Sequence, residues 1–224
     1  MLILLTGFGR FPGAPKNPSA SIVAEVEKRA ARRLARIDLD IATAVLPVEF
    51  DKIEAALAKA IGAGKPDAIL HLGLAGRRSA LTVEVKAKNK ISPLHPDAAR
   101  RRSSKTHVAL GDSASRRARL PVARIAAAMR RTGAATRISH DAGDYVCNAV
   151  LYHSLRSLLP LAGFIHVPWP RRADRPLSRG CGRPLRPSHE SMVRAATAAL
   201  VLVGAELRRL RNLTGPEMKA KPPG

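Results

Sequence analysis

Short apolar runs alternate with amphipathic stretches along this chain. MLILLTG at 1–7 is a nearly unbroken apolar run and predicts a buried strand. A Gly/Pro-rich loop follows. PSASIVAEVEKRAARRLA at 18–35 then spaces its apolar residues at helical intervals, with Pro18 near the start, where its missing N–H costs nothing. DLDIATAVLPV at 38–48 alternates like a strand, and FDKIEAALAKAIGAG at 50–64 reads as a helix ended by glycine. DAILHLGLAG at 67–76 predicts a buried strand, and ALTVEVKAK at 80–88 alternates as another. Residues 89–119 lack apolar periodicity and predict a long basic loop.

The second half repeats the alternation. Helices are predicted over 120–133, 145–159 and 190–210, and strands over 135–141 and 162–170, with another basic loop at 171–187. The β-α-β-α order predicts an α/β fold: a single three-layer α/β/α domain over 1–212, with a mostly parallel twisted central sheet and helices on both faces. Residues 213–224 read as a flexible tail. In such sheets, sites collect at the carboxyl ends of the strands.

Composition changes this picture in three ways. Aromatics are only 3%, so Leu, Val, Ile and Ala must build the core. The two cysteines, Cys147 and Cys181, do not make a disulfide framework and read as free thiols in a reducing compartment. The N-terminal apolar run has no basic region before it and is too short for a signal peptide or a span, which predicts a cytoplasmic protein with no membrane contact. The net charge of +22 favours polyanions, so non-specific polyanion contact is one expectation. The charge is spread and few aromatics are interleaved with it, which gives little support for base stacking.

Candidate chemistry centres on Cys147, in AGDYVCN at 142–148. A turn between a short strand and a helix places this thiol in the first helical turn, where free N–H groups and the positive dipole end stabilise a thiolate. Asp144 is the expected N-cap. The alternative is a buried helix cysteine. His166 ends the apolar run GFIHV, where a base would face a site, although a core histidine bonded to a carbonyl would look the same. His71, inside AILHLGL, reads as a core histidine. Glu84 is the sole acid in SALTVEVKAK; it could orient an imidazole, or face outward and pair with Lys86 or Arg77.

Together these segments resemble the pyroglutamyl peptidase I (pyrrolidone-carboxylate peptidase) family of cysteine peptidases. TGFGRFPG at 6–13 with NPS at 17–19, GLAGRRSALTVE at 73–84, AGDYVCN at 142–148 and GFIHVP at 163–168 carry the resemblance, in the family's order. It implies a Cys–His–Glu triad of Cys147 as nucleophile, His166 as general base and acid, and Glu84 as the residue orienting His166. The implied reaction is hydrolysis of an N-terminal pyroglutamyl residue from a blocked peptide through an acyl-enzyme, with no metal or organic cofactor. Phe8 and Phe11 match the family's aromatic residues that flank the lactam ring, backbone groups around Leu74 and Ala75 would read its amide, and the Cys147 N–H would serve as an oxyanion donor. A homo-oligomer, dimer or tetramer, is a further implication. The chain departs from the family over 85–118: Asn89 is kept, but position 94 is Leu where the resemblance implies an arginine, and Arg100 could substitute only if the loop runs differently. Arg78, in RRS, sits near the family's usual Gly-Arg-Ser. The departures leave open a divergent homologue acting on another N-terminal acyl or lactam group, or a basic polyanion-binding protein on the same scaffold.

Overall fold

The computed structural model describes residues 1–171 and 186–214. Strands β1 (Leu2–Phe8), β2 (Asp40–Leu46), β3 (Ala68–Leu74) and β8 (Leu161–Val167) pair in parallel as β2-β1-β3-β8. Two short strands extend this row to six: β4 (Leu81–Glu84) runs antiparallel to β8, and β7 (Thr136–Ser139) runs parallel to β4. The sheet is therefore mostly parallel, as the alternation of elements predicts.

Helices cover both faces. On one face, α1 (Pro18–Ala35), α3 (Val122–Arg131) and α5 (His189–Thr214) pack around Ile3, Leu5, Leu70, Leu72, Ile165 and Val167. On the other, α2 (Phe50–Gly64) and α4 (Val146–Arg156) pack around Leu4, Phe8, Ile69 and Phe164. Among the described residues no helix is long and apolar enough to cross a membrane.

Several local expectations are corrected. The strand expected over 80–88 breaks at Val85. Its second part, β5 (Lys86–Lys88), pairs antiparallel with β6 (Ser115–Arg117), an element inside the segment expected to be all loop. The break arises because Glu84 ends buried in the main sheet while the chain turns away to cover α4; Lys88 and Asn148 of α4 bond to each other there. The left-handed residue ending α2 is Lys65, at φ 46°, not the preceding glycine. Helix α5 runs on to Thr214, beyond the helix end expected at 210. The basic loop at 171–187 lies largely outside the described residues, as do Cys181 and the tail from 215.

His71 behaves as the core histidine that its sequence context suggests. It is fully buried, with Thr6 Oγ1 2.6 Å from Nδ1 and Ser154 Oγ 2.8 Å from Nε2, which joins β1, β3 and α4 through one ring. Burial pushes it down to about 3 from 6.5. Between these values the unfolded chain binds a proton that the folded chain refuses, so stability falls as pH drops through that window. The slope from this one residue approaches about 1.4 kcal/mol per pH unit. His71→Gln should flatten the acid side of the stability profile, measured by urea unfolding from pH 7 to pH 4; an unchanged slope would remove His71 as its source.

Candidate active site

Strand parity determines which side chains can meet. Side chains alternate across a sheet, and paired residues on neighbouring strands share a face. Gly73 pairs with His166, and His71 with Phe164, so all four lie on the face covered by α2 and α4. The β4–β8 register pairs Val83 with Ile165, which puts Glu84 on the same face as Phe164 and His166. Helix α4, which carries Cys147, lies against that face. Residues far apart in the chain converge there without any special loop.

Gly73 makes the convergence close. A Cβ on Gly73 would come within 2.5 Å of Phe164 Cζ and 3.0 Å of Cys147 Sγ. The missing side chain is the space into which the thiol projects, beside the residue paired with His166. Cys147 lies in the first turn of α4, as expected, and remains partly exposed. The N-cap is Tyr145, not Asp144, and it makes no side-chain cap bond. The Asp144 carboxylate turns instead toward Lys90, 3.7 Å away. Although the residue keeps some exposed surface, its Sγ sits in the packed space over Gly73, and that burial pushes the thiol up to about 12; the charge of Glu84 adds to this, while Arg78 and the backbone N–H of Cys147 oppose it.

Glu84 and His166 are bonded directly, His166 Nδ1 lying 2.8 Å from Glu84 Oε1. Glu84 is fully buried and His166 nearly so, which excludes an outward-facing glutamate paired with Lys86 or Arg77. The cation on Glu84 is Arg78, whose Nη1 donates to the same Oε1. Arg78 Nη2 also donates to the Asp141 carbonyl at 2.7 Å, in the turn that leads to Cys147. His166 is lowered, mainly by burial, with Glu84 opposing that shift and Arg78 adding to it. With Nδ1 committed to Glu84, Nε2 is the nitrogen turned away from the carboxylate. The imidazole is thus shifted toward its neutral form and the thiol toward its protonated form, the states in which a base could accept the thiol proton.

The other sequence candidates form the surroundings of this cluster. Phe8 is buried at the end of β1, its ring centroid 6.0 Å from that of Phe164. Phe11 is partly exposed, its ring centroid 6.2 Å from that of Tyr145. Tyr145 packs edge-on against Phe50 at 5.3 Å, and its hydroxyl donates to the Pro96 carbonyl at 2.9 Å. Tyr145 is therefore the aromatic partner of Phe11, a role that the sequence reading did not single out. An aromatic residue two positions before the cysteine was the available signal. Leu74 ends β3, and the Ala75 N–H donates to the Val167 carbonyl at 2.9 Å, so that donor is already committed within the protein.

The NPS segment holds the end of β1 at Phe8 and the start of the loop that carries Phe11. Asn17 Nδ2 donates to the Gly9 carbonyl at 3.0 Å, Asn17 Oδ1 caps α1 through Ser19 N, and Ser19 Oγ accepts from Phe8 N at 3.0 Å. The divergent 89–119 segment is also anchored. Asn148, beside the thiol, bonds to the backbone of Lys88 and Lys90, and Asn89 bonds to the backbone of Ala109. Leu94 projects into solvent at 67% exposure, and Arg100 sits in a surface turn at φ 59°.

Such an α/β/α scaffold, with a thiol, an imidazole and a carboxylate on one sheet face, has clear relatives. The sequence profile of the pyroglutamyl peptidase family matches residues 1–205. The pyrrolidone-carboxylate peptidase of Pyrococcus furiosus is 33% identical over 174 residues, covering 75% of this chain and 81% of that protein. The corresponding protein of Gloeobacter violaceus is 36% identical over 180 residues, covering 78% and 85%. Among solved structures, pyroglutamyl peptidase I of Bacillus amyloliquefaciens superposes with a TM-score of 0.78 at 27% identity, covering 92% of this chain and 98% of that one. The pyrrolidone carboxyl peptidase of Thermus thermophilus gives 0.75 at 33% identity, covering 89% and 99%. The chain belongs to the pyroglutamyl peptidase family.

The Gly73 gap is open to test. Gly73→Ala should destabilise the protein by about 1–3 kcal/mol in urea unfolding, because the methyl overfills packed space, and should change the alkylation rate of Cys147 by iodoacetamide. A variant matching the parent in both would mean that the gap is not what seats the thiol.

Proposed function

We propose that this protein is a cysteine omega-peptidase that hydrolyses the N-terminal pyroglutamyl residue from peptides through an acyl-enzyme intermediate. The observation that carries this reading is the Glu84–His166 hydrogen bond at 2.8 Å, with Cys147 Sγ held over Gly73, the residue paired with His166. Membership of the pyroglutamyl peptidase family supports the substrate class.

In this mechanism His166 Nε2 takes the proton from Cys147 as the sulfur attacks the exocyclic carbonyl carbon of the pyroglutamyl residue. The oxygen gains negative charge and lies toward the start of α4, where the Cys147 N–H points out of a helix N-terminus. The tetrahedral intermediate then collapses. The C–N bond breaks, His166 returns its proton to the departing amine, and a thioester to Cys147 remains. Water, deprotonated by His166, attacks the thioester; pyroglutamate leaves and the thiol regains its proton. Glu84 holds Nδ1 throughout and stabilises the imidazolium as it forms.

A lactam ring is small, flat and neutral, and aromatic faces suit it. Phe11 and Tyr145 pair with part of their surface exposed, while Phe8 is buried against Phe164. Leu94, where the resemblance implies an arginine, puts an apolar side chain in solvent and leaves the Glu84–His166 bond and the seat of the Cys147 thiol over Gly73 intact. This favours the peptidase over the divergent and polyanion-binding alternatives.

The test is hydrolysis of a pyroglutamyl fluorogenic amide. Cys147→Ser and His166→Ala should each lower kcat by a factor on the order of 10^5 or more. Glu84→Gln should retain on the order of a hundredfold more activity than either, since nucleophile and base remain. Full activity in a folded Cys147 variant would overturn the mechanism.

A further inference from the structure

Glu84 is a buried acid with an unusual pattern of contacts. Both of its donors, Arg78 Nη1 and His166 Nδ1, meet Oε1, while Oε2 is buried with no hydrogen-bond partner among the described residues. A buried carboxylate is tolerated only if its charge is balanced. Two groups are available to balance it: the Arg78 guanidinium, and His166 if His166 carries a second proton. A doubly protonated His166 cannot accept the proton of Cys147. The two ways of balancing Glu84 therefore have opposite consequences for the reaction.

We propose that Arg78 is a positioning residue for the reaction: its guanidinium balances the buried Glu84 carboxylate, so that His166 stays free to take the proton of Cys147. This rests on the function proposed above. The charged and titratable groups facing His166 come from every element packed around it. They are Glu84 of β4, Cys147 of α4 over Gly73, the residue paired with His166, His71 of β3 across the Phe164 ring, and Arg78 from the segment between β3 and β4. Of these, Arg78 supplies the fixed positive charge. Asp141, next to Arg78, has a cation of its own, Lys88 Nζ at 3.0 Å. Arg78 opposes the charging of His166 and favours the charging of Cys147. Its second nitrogen, bonded to the Asp141 carbonyl at 2.7 Å, also ties the acid to the turn that presents the thiol.

The forked contact has a consequence for substitution. Lysine keeps the charge and loses the fork; glutamine keeps donors and loses the charge. If charge is what matters, these two variants part company. The titration midpoint of His166 is read by NMR on histidine-labelled full-length protein carrying Cys147→Ser, which needs no turnover. Arg78→Gln should raise that midpoint by about one pH unit or more, and Arg78→Lys should leave it near the parent value. In the protein that retains Cys147, the acidic limb of kcat/KM for the pyroglutamyl amide should move up by the same amount with Arg78→Gln and stay in place with Arg78→Lys.

An unmoved midpoint in Arg78→Gln would overturn the proposal. So would a midpoint raised as far by Arg78→Lys as by Arg78→Gln; if the glutamine variant does not fold, Arg78→Met, which also removes the charge, takes its place in both comparisons. A uniform loss of activity with both limbs in place would assign Arg78 a purely structural role. If the unsubstituted protein fails to cleave the amide, the proposed function fails, while the NMR midpoint still reports on Arg78.

Discussion

The site depends on one charge that has been taken out of water. Glu84 is fully buried, and its Oε1 meets both a guanidinium and an imidazole. A carboxylate in that position is costly unless it is paired, so its partners are fixed as firmly as the core around them. Fixing His166 through Nδ1 leaves Nε2 as the nitrogen without a bond to the carboxylate. Fixing Arg78 draws in the Asp141 carbonyl and so the turn before α4. The imidazole, the carboxylate and the turn that leads to the thiol are thus parts of one electrostatic unit.

The sheet supplies the precision. Because β3 and β8 run in parallel with Gly73 beside His166, a helix laid on that face can bring a thiol down to the strand surface only where a side chain is missing. The reversed strand β4 brings Glu84 in from the opposite direction. Around this centre, two asparagines fasten the variable segment by its backbone. Asn148 holds Lys88 and Lys90, and Asn89 holds Ala109. Bonds to backbone do not specify the side chains of the segment they hold, so that segment can diverge, as at Leu94, without moving the thiol.

Much of this was legible in the sequence, for physical reasons. The buried strands announce themselves because a parallel sheet covered on both faces needs continuous apolar runs, as in AILHLGL and GFIHV. The four motif segments pointed to Cys147, His166 and Glu84, and the structure brings all three to one face. The break at Val85 was not legible, because alternation continues across 80–88 and only the tertiary contact with Asn148 splits it. Nor was the cap of α4, where Asp144 has the right chemistry but pairs with Lys90 instead. Arg78 was noted as a motif match without its partner, since no spacing rule tells which arginine in GRR turns inward. Tyr145 lay in plain view beside the cysteine, yet its pairing with Phe11 is a contact between distant segments.

The most direct test of the account is to catch the thioester. The protein would be mixed with a pyroglutamyl ester, quenched in acid within one turnover, and its intact mass and peptides measured. The account predicts one added pyroglutamyl acyl group, mapped to Cys147 and absent from Cys147→Ser. Release of pyroglutamate with no adduct on Cys147, or an adduct on Cys181 instead, would contradict it.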